Sequence, residues 1–161
     1  MYSIEITETE AIRSPEQALT FINDVHAFGC KVALDDFGTG LASFDYLRQY
    51  PFDELKIDGV FIRNLANNTV DKSIVSAICQ VAHSMNLQTV AEFVEDVSMS
   101  KTLSDLGVDF AQGYGIGKPK PLSDLFNEHN RPSSSGAPPY EASEVDLGDR
   151  SGHHIKSRLS F

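Results

Sequence analysis

The sequence predicts an α/β fold built on parallel strands. Two observations carry this expectation. Over residues 1–130, short apolar runs alternate with helically spaced segments, the order that produces parallel strands joined by right-handed crossovers. Each candidate strand also carries a polar or charged residue within it or at its carboxyl end. About five strand–helix units are present, and an open sheet and a barrel both satisfy the pattern.

The elements follow in order. Residues 3–7 read as a strand. A helix is expected over about 15–28: Ser14 can cap it, Pro15 suits the first helical position and Gln17 completes a capping box. Gly29 ends it. A strand follows at 31–35, then a short helix from Ser43 to before Pro51, and a brief strand at 54–57. Residues 71–85 place Ile74, Val75, Ile78, Val81, Ala82 and Met85 at helical spacing with one apolar face. Residues 87–91 read as a strand, 97–106 as a helix closed by Gly107, 108–112 as a strand and 122–128 as a last short helix. Beyond Asn130 the composition changes: Pro132, Ser133 to Ser135, Gly136, Pro138 and Pro139 form a linker-like stretch. Few apolar residues follow, so 131–161 is expected to be a disordered tail. His153-His154 in that tail is a weak metal-binding signal.

A chain of 161 residues is about one domain, and 41% apolar residues suffice for a core. The net charge of −10 lies in residues 1–130, because the tail holds equal numbers of acidic and basic residues. This balance does not suit non-specific nucleic-acid binding, which runs on lysine and arginine facing phosphates. It suits a site that recruits divalent cations, although solubility alone also explains negative charge. Cys30 and Cys79 lack metal-ligand spacing and read as buried thiols of a reducing compartment. No leader opens the chain and no apolar run approaches the ~18 residues of a membrane span. A cytoplasmic location without membrane insertion is expected. The common Gly-rich nucleotide loops are absent.

The chemistry starts at Asp35-Asp36, which closes the run Val32 to Leu34 and precedes Phe37-Gly38-Thr39-Gly40. Neighbouring strand residues point to opposite faces, so two adjacent carboxylates converge only where the backbone turns. Gly38 and Gly40 are expected to allow that turn. Convergent carboxylates repel unless a cation lies between them. The alternative is an exposed turn with Asp36 solvated. Other strands tip the balance. Glu5 lies between Ile4 and Ile6, Lys56 between Leu55 and Ile57, Glu92 and Glu95 follow the strand at 87–91, and Gln112 ends the strand at 108–112. Singly, each has a bland explanation: Glu5 on a solvated edge, Lys56 paired with Asp58, Gln112 satisfying backbone. Together they describe a carboxylate-rich site with one buried lysine, at the strand ends where barrels carry catalysis.

Hard carboxylate oxygens select Mg²⁺, Mn²⁺ or Ca²⁺. Paired ions suit phosphodiester hydrolysis. An aldolase- or enolase-type barrel using Lys56 is the rival. Surrounding carboxylates would raise the lysine pKa, against the needs of a Schiff base.

These residues match a known family. The blocks Glu5-Ile6-Thr7-Glu8, Asp35-Asp36-Phe37-Gly38-Thr39-Gly40, Leu55-Lys56-Ile57-Asp58, Ala91-Glu92-Phe93-Val94-Glu95 and Gln112-Gly113-Tyr114, with Lys118-Pro119 and Pro121, resemble the carboxyl-terminal portion of EAL domains, the bacterial cyclic-di-GMP phosphodiesterases. The resemblance covers about residues 3–128. It implies a partial TIM-like (β/α) barrel of about five of eight strand–helix units. It implies cleavage of cyclic di-GMP to the linear dinucleotide with two Mg²⁺ or Mn²⁺ ions. By position, Glu5, Asp35, Asp36 and Glu92 resemble the metal-site carboxylates, and Asp35 suits bridging. Lys56 resembles the lysine that orients the catalytic water. Gln112 resembles a residue supporting the water or metal shell. Glu95 resembles the glutamate that steadies the loop after Asp35-Asp36, which in the family couples metal binding to dimerisation. Asp58 belongs to the same substrate and loop region. Phe93 stands where glycine is common.

The family's Glu-Ala-Leu or Glu-Val-Leu motif supplies a metal ligand upstream of the Glu5 strand, and an asparagine ligand lies between. Neither tripeptide occurs in these 161 residues. The expectation is therefore a truncated EAL domain over 1–130, inactive or nearly so by itself, with open sheet edges that offer a place for a second copy or a complementing EAL fragment. A degenerate module that binds cyclic di-GMP or a partner protein is the alternative.

Overall fold

A computed structural model describes residues 3–38, 44–121, 143–146 and 154–160, with side chains described as far as Pro119 except at 44–46. Five parallel strands lie side by side in chain order: β1 (Ser3–Thr7), β2 (Lys31–Phe37), β3 (Glu54–Ile57), β4 (Gln88–Ala91) and β5 (Phe110–Gln112). Between them run α1 (Glu8–Arg13), α2 (Pro15–Ala27), α3 (Phe44–Gln49), α4 (Gly59–Ile62), α5 (Thr69–Ser84) and α6 (Ser100–Asp105), the last preceded by a 3₁₀ turn at Val97–Met99. The expected parallel α/β architecture is present. None of the described helices is long and apolar enough to cross a membrane.

Strand alternation divides the side chains into two layers. Val32, Leu34, Leu55, Ile57 and Ala91 join Ile22, Val75, Ile78 and Ala82 of α2 and α5 in one apolar core. The opposite face is polar. Ser3 is in register with Lys31 and Glu54 with Gln88. Lys31 Nζ lies 3.2 Å from Glu54 Oε1 and donates to Gln88 Oε1 at 2.6 Å, while Ser3 Oγ donates to Glu54 Oε2 at 3.2 Å. This network ties the amino-terminal ends of four strands together. Two residues further along β3, on the same face, stands Lys56.

The helix starts differ from expectation. A capping box is present, but at α1: Thr7 Oγ1 accepts from the Glu10 N–H and the Glu10 carboxylate accepts from the Thr7 N–H. Ser14 makes no side-chain cap bond, and Pro15 starts α2 by itself. The pair Ser14/Gln17 has the right spacing, but Ser14 is also the end of α1, so its backbone is set by two helices at once. Cys79 is buried, and burial pushes its thiol up to about 11. Cys30 is only half-buried, against expectation, because it lies in the turn between α2 and β2.

One fastening occurs twice at the amino-terminal ends of the strands. His26 Nε2 lies 2.8 Å from Asp53 Oδ2, which accepts from the Val32 N–H at 2.8 Å. His83 Nε2 lies 2.8 Å from Asp109 Oδ2, which accepts from the Thr89 N–H at 2.7 Å and the Thr89 hydroxyl at 2.8 Å. Each ties a helix end and the start of one strand to the residue before the next. Burial works to raise the Asp109 pKa, but the Thr89 N–H, His83 and the Thr89 hydroxyl outweigh it and hold it below the usual range. A depressed carboxylate pKa contributes stability above its unfolded value of ~3.9, lost as pH falls through the folded value. The gap in urea midpoint between the wild type and Asp109→Asn should therefore be wide at pH 7 and narrow below ~3.9.

Two strands are described within the carboxyl-terminal segment 131–161. Strand β8 (His154–Ser160) pairs antiparallel with β5, and it also pairs with β6 (Lys120–Pro121) and β7 (Ser143–Asp146). Low apolar content argued against a packed core there, yet strand addition needs only backbone donors and acceptors, which β5 offers along its free side. The β5 edge, expected to be open, is thus paired. Cα atoms of β7 come within 8 Å of β1. The expected helix at 122–128, the linker from Pro132 to Pro139 and His153 lie outside the described residues.

Candidate functional site

A bulge in β2 builds the site. β2 pairs with β3 at Leu34–Leu55 and next at Phe37–Ile57. Asp35 and Asp36 therefore oppose the single residue Lys56, the two-against-one geometry of a β-bulge. Asp36 takes φ 58°, a left-handed conformation that aspartate tolerates better than most residues. The sequence reading assigned the turn to Gly38 and Gly40. Instead the reversal starts at Asp36 itself, with Gly38 at φ 101° continuing it and Gly40 outside the described residues.

Lys56 is fully buried, with no solvent exposure. Its Nζ lies 2.6 Å from Glu5 Oε1, 2.9 Å from Asp35 Oδ1 and 2.8 Å from Glu92 Oε1. An ammonium has three protons, and three carboxylates surround this one. The suggested Lys56–Asp58 pairing does not form. Asp58 Oδ1 instead accepts from the Val60 N–H at 2.6 Å and caps α4.

The oxygens of Asp35, Asp36 and Glu92 lie within 4.8 Å of one another. Glu5 joins the site through Lys56 and is not in that triad. Burial pushes the Asp36 carboxyl above the usual range, Asp35 and Asp58 push the same way, and Lys56 opposes them. Burial likewise raises Glu92, with Lys56 opposing and Asp35 and Glu5 adding to it. One lysine thus leaves the acids short of positive charge. Gln112, only 6% exposed, has a buried Oε1 without a hydrogen-bond partner among the described residues. Converging hard oxygens and an unmatched buried carbonyl fit a divalent cation with its water shell.

A cavity of about 390 Å³ opens beside the carboxylates, lined among others by Glu92, Glu95, Gln112, Arg63, Phe93 and Tyr114. Its floor depends on Gly113, whose absent Cβ would lie 2.8 Å from the Val94 carbonyl carbon. That approach lets the Val94 N–H donate to the Gln112 carbonyl at 3.0 Å and the Gly115 N–H to the Val94 carbonyl at 2.9 Å. The strand end bearing Gln112 is thereby stitched to the loop bearing Glu92. Glu95 is exposed on the cavity wall, while the loop it was expected to steady includes residues 39–43, outside the described residues.

A family model of the EAL domain matches residues 2–119. The chain belongs to the EAL domain family. The cyclic di-GMP phosphodiesterase PdeF of Escherichia coli is 44% identical over 124 residues, which is 77% of this chain and 17% of PdeF. The chain thus spans about a sixth of that relative's length. Among solved EAL structures, the PaMucR phosphodiesterase in complex with c-di-GMP aligns with a TM-score of 0.68 at 40% identity, over 76% of this chain and 50% of that one. BlrP1 of Klebsiella pneumoniae, in a manganese/cy-diGMP complex, aligns with a TM-score of 0.66 at 28% identity, over 72% of this chain and 30% of that one.

Sequence reasoning missed two groups around this EAL site. Glu54 is buried beneath Lys56, and the signal was available: it opens an apolar strand two residues before the lysine, on the same face. Arg63 reaches the cavity from just beyond α4, a four-residue helix too short to leave a periodic signal.

Proposed function

We propose that this EAL segment carries the carboxylate–lysine portion of a phosphodiesterase site that hydrolyses cyclic di-GMP to the linear dinucleotide. The observation that supports it most is Lys56, buried among Glu5, Asp35 and Glu92 beside the triad of Asp35, Asp36 and Glu92. Asp35, Asp36 and Glu92 would hold Mg²⁺ or Mn²⁺, with Glu5 alongside. Divalent cations there supply charge stabilisation for the phosphate and a more acidic water. Lys56 orients three acids at once, so it can bind a water or a phosphate oxygen only by releasing one carboxylate. Gln112 offers an unmatched acceptor for a water proton. Glu95 borders the cavity that would take the rest of the nucleotide.

The triad alone gives fewer protein ligands than two ions require, so the 161-residue polypeptide by itself turns over slowly or not at all. A second copy or a complementing EAL segment would supply the further ligands. Two free cysteines support a cytoplasmic setting. Calorimetry with cyclic di-GMP, with and without Mn²⁺, tests the reading. The expected result is Mn²⁺-dependent binding that is lost in Asp35→Asn, with negligible linear product. Binding that ignores both Mn²⁺ and Asp35→Asn would overturn the metal-site assignment. Rapid turnover by the isolated polypeptide would overturn its inactivity. Binding with no hydrolysis even after a complementing EAL segment is added favours the binding-module alternative.

A further inference from the structure

Phe93 combines three features that packing does not require. It follows Glu92 directly and takes φ 53°, a left-handed conformation strained for an aromatic residue. The residue is 47% exposed, so burial in the core does not offset that strain. The ring rests against Gly59, where an added Cβ would lie 2.7 Å from the ring Cγ. The Arg63 guanidinium carbon stands over the ring, 4.5 Å from its centroid. A guanidinium on an aromatic face is held flat while its N–H edge stays available.

Arg63 is exposed and makes no ion pair among the described residues, although Glu92 and Glu95 line the same cavity. The cavity wall also includes Tyr114 and Pro119, an apolar lining suited to the face of a base. A phosphate drawn to a cation at Asp35, Asp36 and Glu92 would have this space beside it for the attached nucleoside.

We propose that Arg63 is a specificity residue for a guanine base and that Phe93 is the positioning residue that holds it. The inference rests on the nucleotide reading of the site given above. Guanine presents two acceptors, O6 and N7, which match the parallel N–H donors of a guanidinium. Adenine presents an N6 amino donor in place of O6 and repels one of them. Phe93 acts through Arg63: it fixes the plane of the fork and removes freedom that binding would otherwise have to remove.

The experiment compares cyclic di-GMP with cyclic di-AMP by calorimetry in the presence of Mn²⁺, for the wild type, Phe93→Gly, Phe93→Tyr and Arg63→Lys. Glycine accepts the left-handed backbone without strain, so Phe93→Gly should melt no lower than the wild type. It should nevertheless weaken cyclic di-GMP about tenfold and erase most of the preference over cyclic di-AMP. Phe93→Tyr keeps an aromatic face and should retain both properties. Arg63→Lys keeps the charge without the fork and should lose the preference. Unchanged affinity and preference in Phe93→Gly, or unchanged preference in Arg63→Lys, overturns the proposal while leaving the metal reading intact if Asp35→Asn still abolishes binding. A wild-type chain that binds neither dinucleotide overturns both.

Discussion

Lys56→Met should unfold this protein more easily by about 3–5 kcal/mol, and Mn²⁺ should recover part of the loss. The lysine is fully buried and is shared by Glu5, Asp35 and Glu92. Methionine fills a similar volume without charge. It leaves three carboxylates facing one another in a partly desolvated space, and their repulsion is released by unfolding. A divalent cation at Asp35, Asp36 and Glu92 binds only the folded chain and offsets that repulsion by mass action. The melting temperature of Lys56→Met should therefore climb more steeply with Mn²⁺ than that of the wild type. A variant that melts low but ignores Mn²⁺ would show that the acids do not form a cation site.

The second large effect lies one residue away, on the opposite side of the same strand. Leu55→Ala should cost about 2–5 kcal/mol, because a fully buried leucine in the helix-facing core leaves a cavity that its neighbours cannot close. Its loss should not respond to Mn²⁺ beyond the wild-type response. Thermal melts of the two variants across a Mn²⁺ series separate the layers of β3: an ionic interior at Lys56 and an apolar exterior at Leu55. Similar Mn²⁺ slopes in both variants would mean that the loss at Lys56 is ordinary packing.

The chemistry was legible because strand alternation is short-range. Glu5 between two isoleucines, Lys56 between Leu55 and Ile57, and Glu92 after Ala91 each announce a polar group on an otherwise apolar strand. Their convergence on one ammonium follows once the strands are parallel and in register. What the sequence hid depends on pairing between strands. The bulge at Asp35-Asp36 exists only relative to Lys56 across the ladder, so no local pattern marks it and the glycines drew the attention instead. Helix α1 went unread because six residues are too few to show a period, even though its capping box was intact at Thr7 and Glu10. Strands β7 and β8 escaped for the opposite reason: composition reports on a core, whereas the backbone pairing of β8 to β5 and of β7 to β8 does not depend on it. Phe93 was visible as an anomaly, yet only the left-handed backbone and the Arg63 contact give it a meaning.

The polar layers inside the sheet have one more consequence, which concerns folding rather than catalysis. Short parallel strands of Val, Leu, Ile and Ala are prone to align one residue out of step, because apolar neighbours are nearly interchangeable. A one-residue slip of β3 would rotate Leu55 beneath the carboxylates and drive Lys56 into the layer held by Ile57, Ile78 and Ala82. The same slip would strip Glu54 of Ser3 and Lys31. Two stacked ionic marks on a four-residue strand thus make misalignment prohibitive in either direction. The residues that identify the site also proofread the sheet, so substitutions that spare its chemistry can still scramble its assembly.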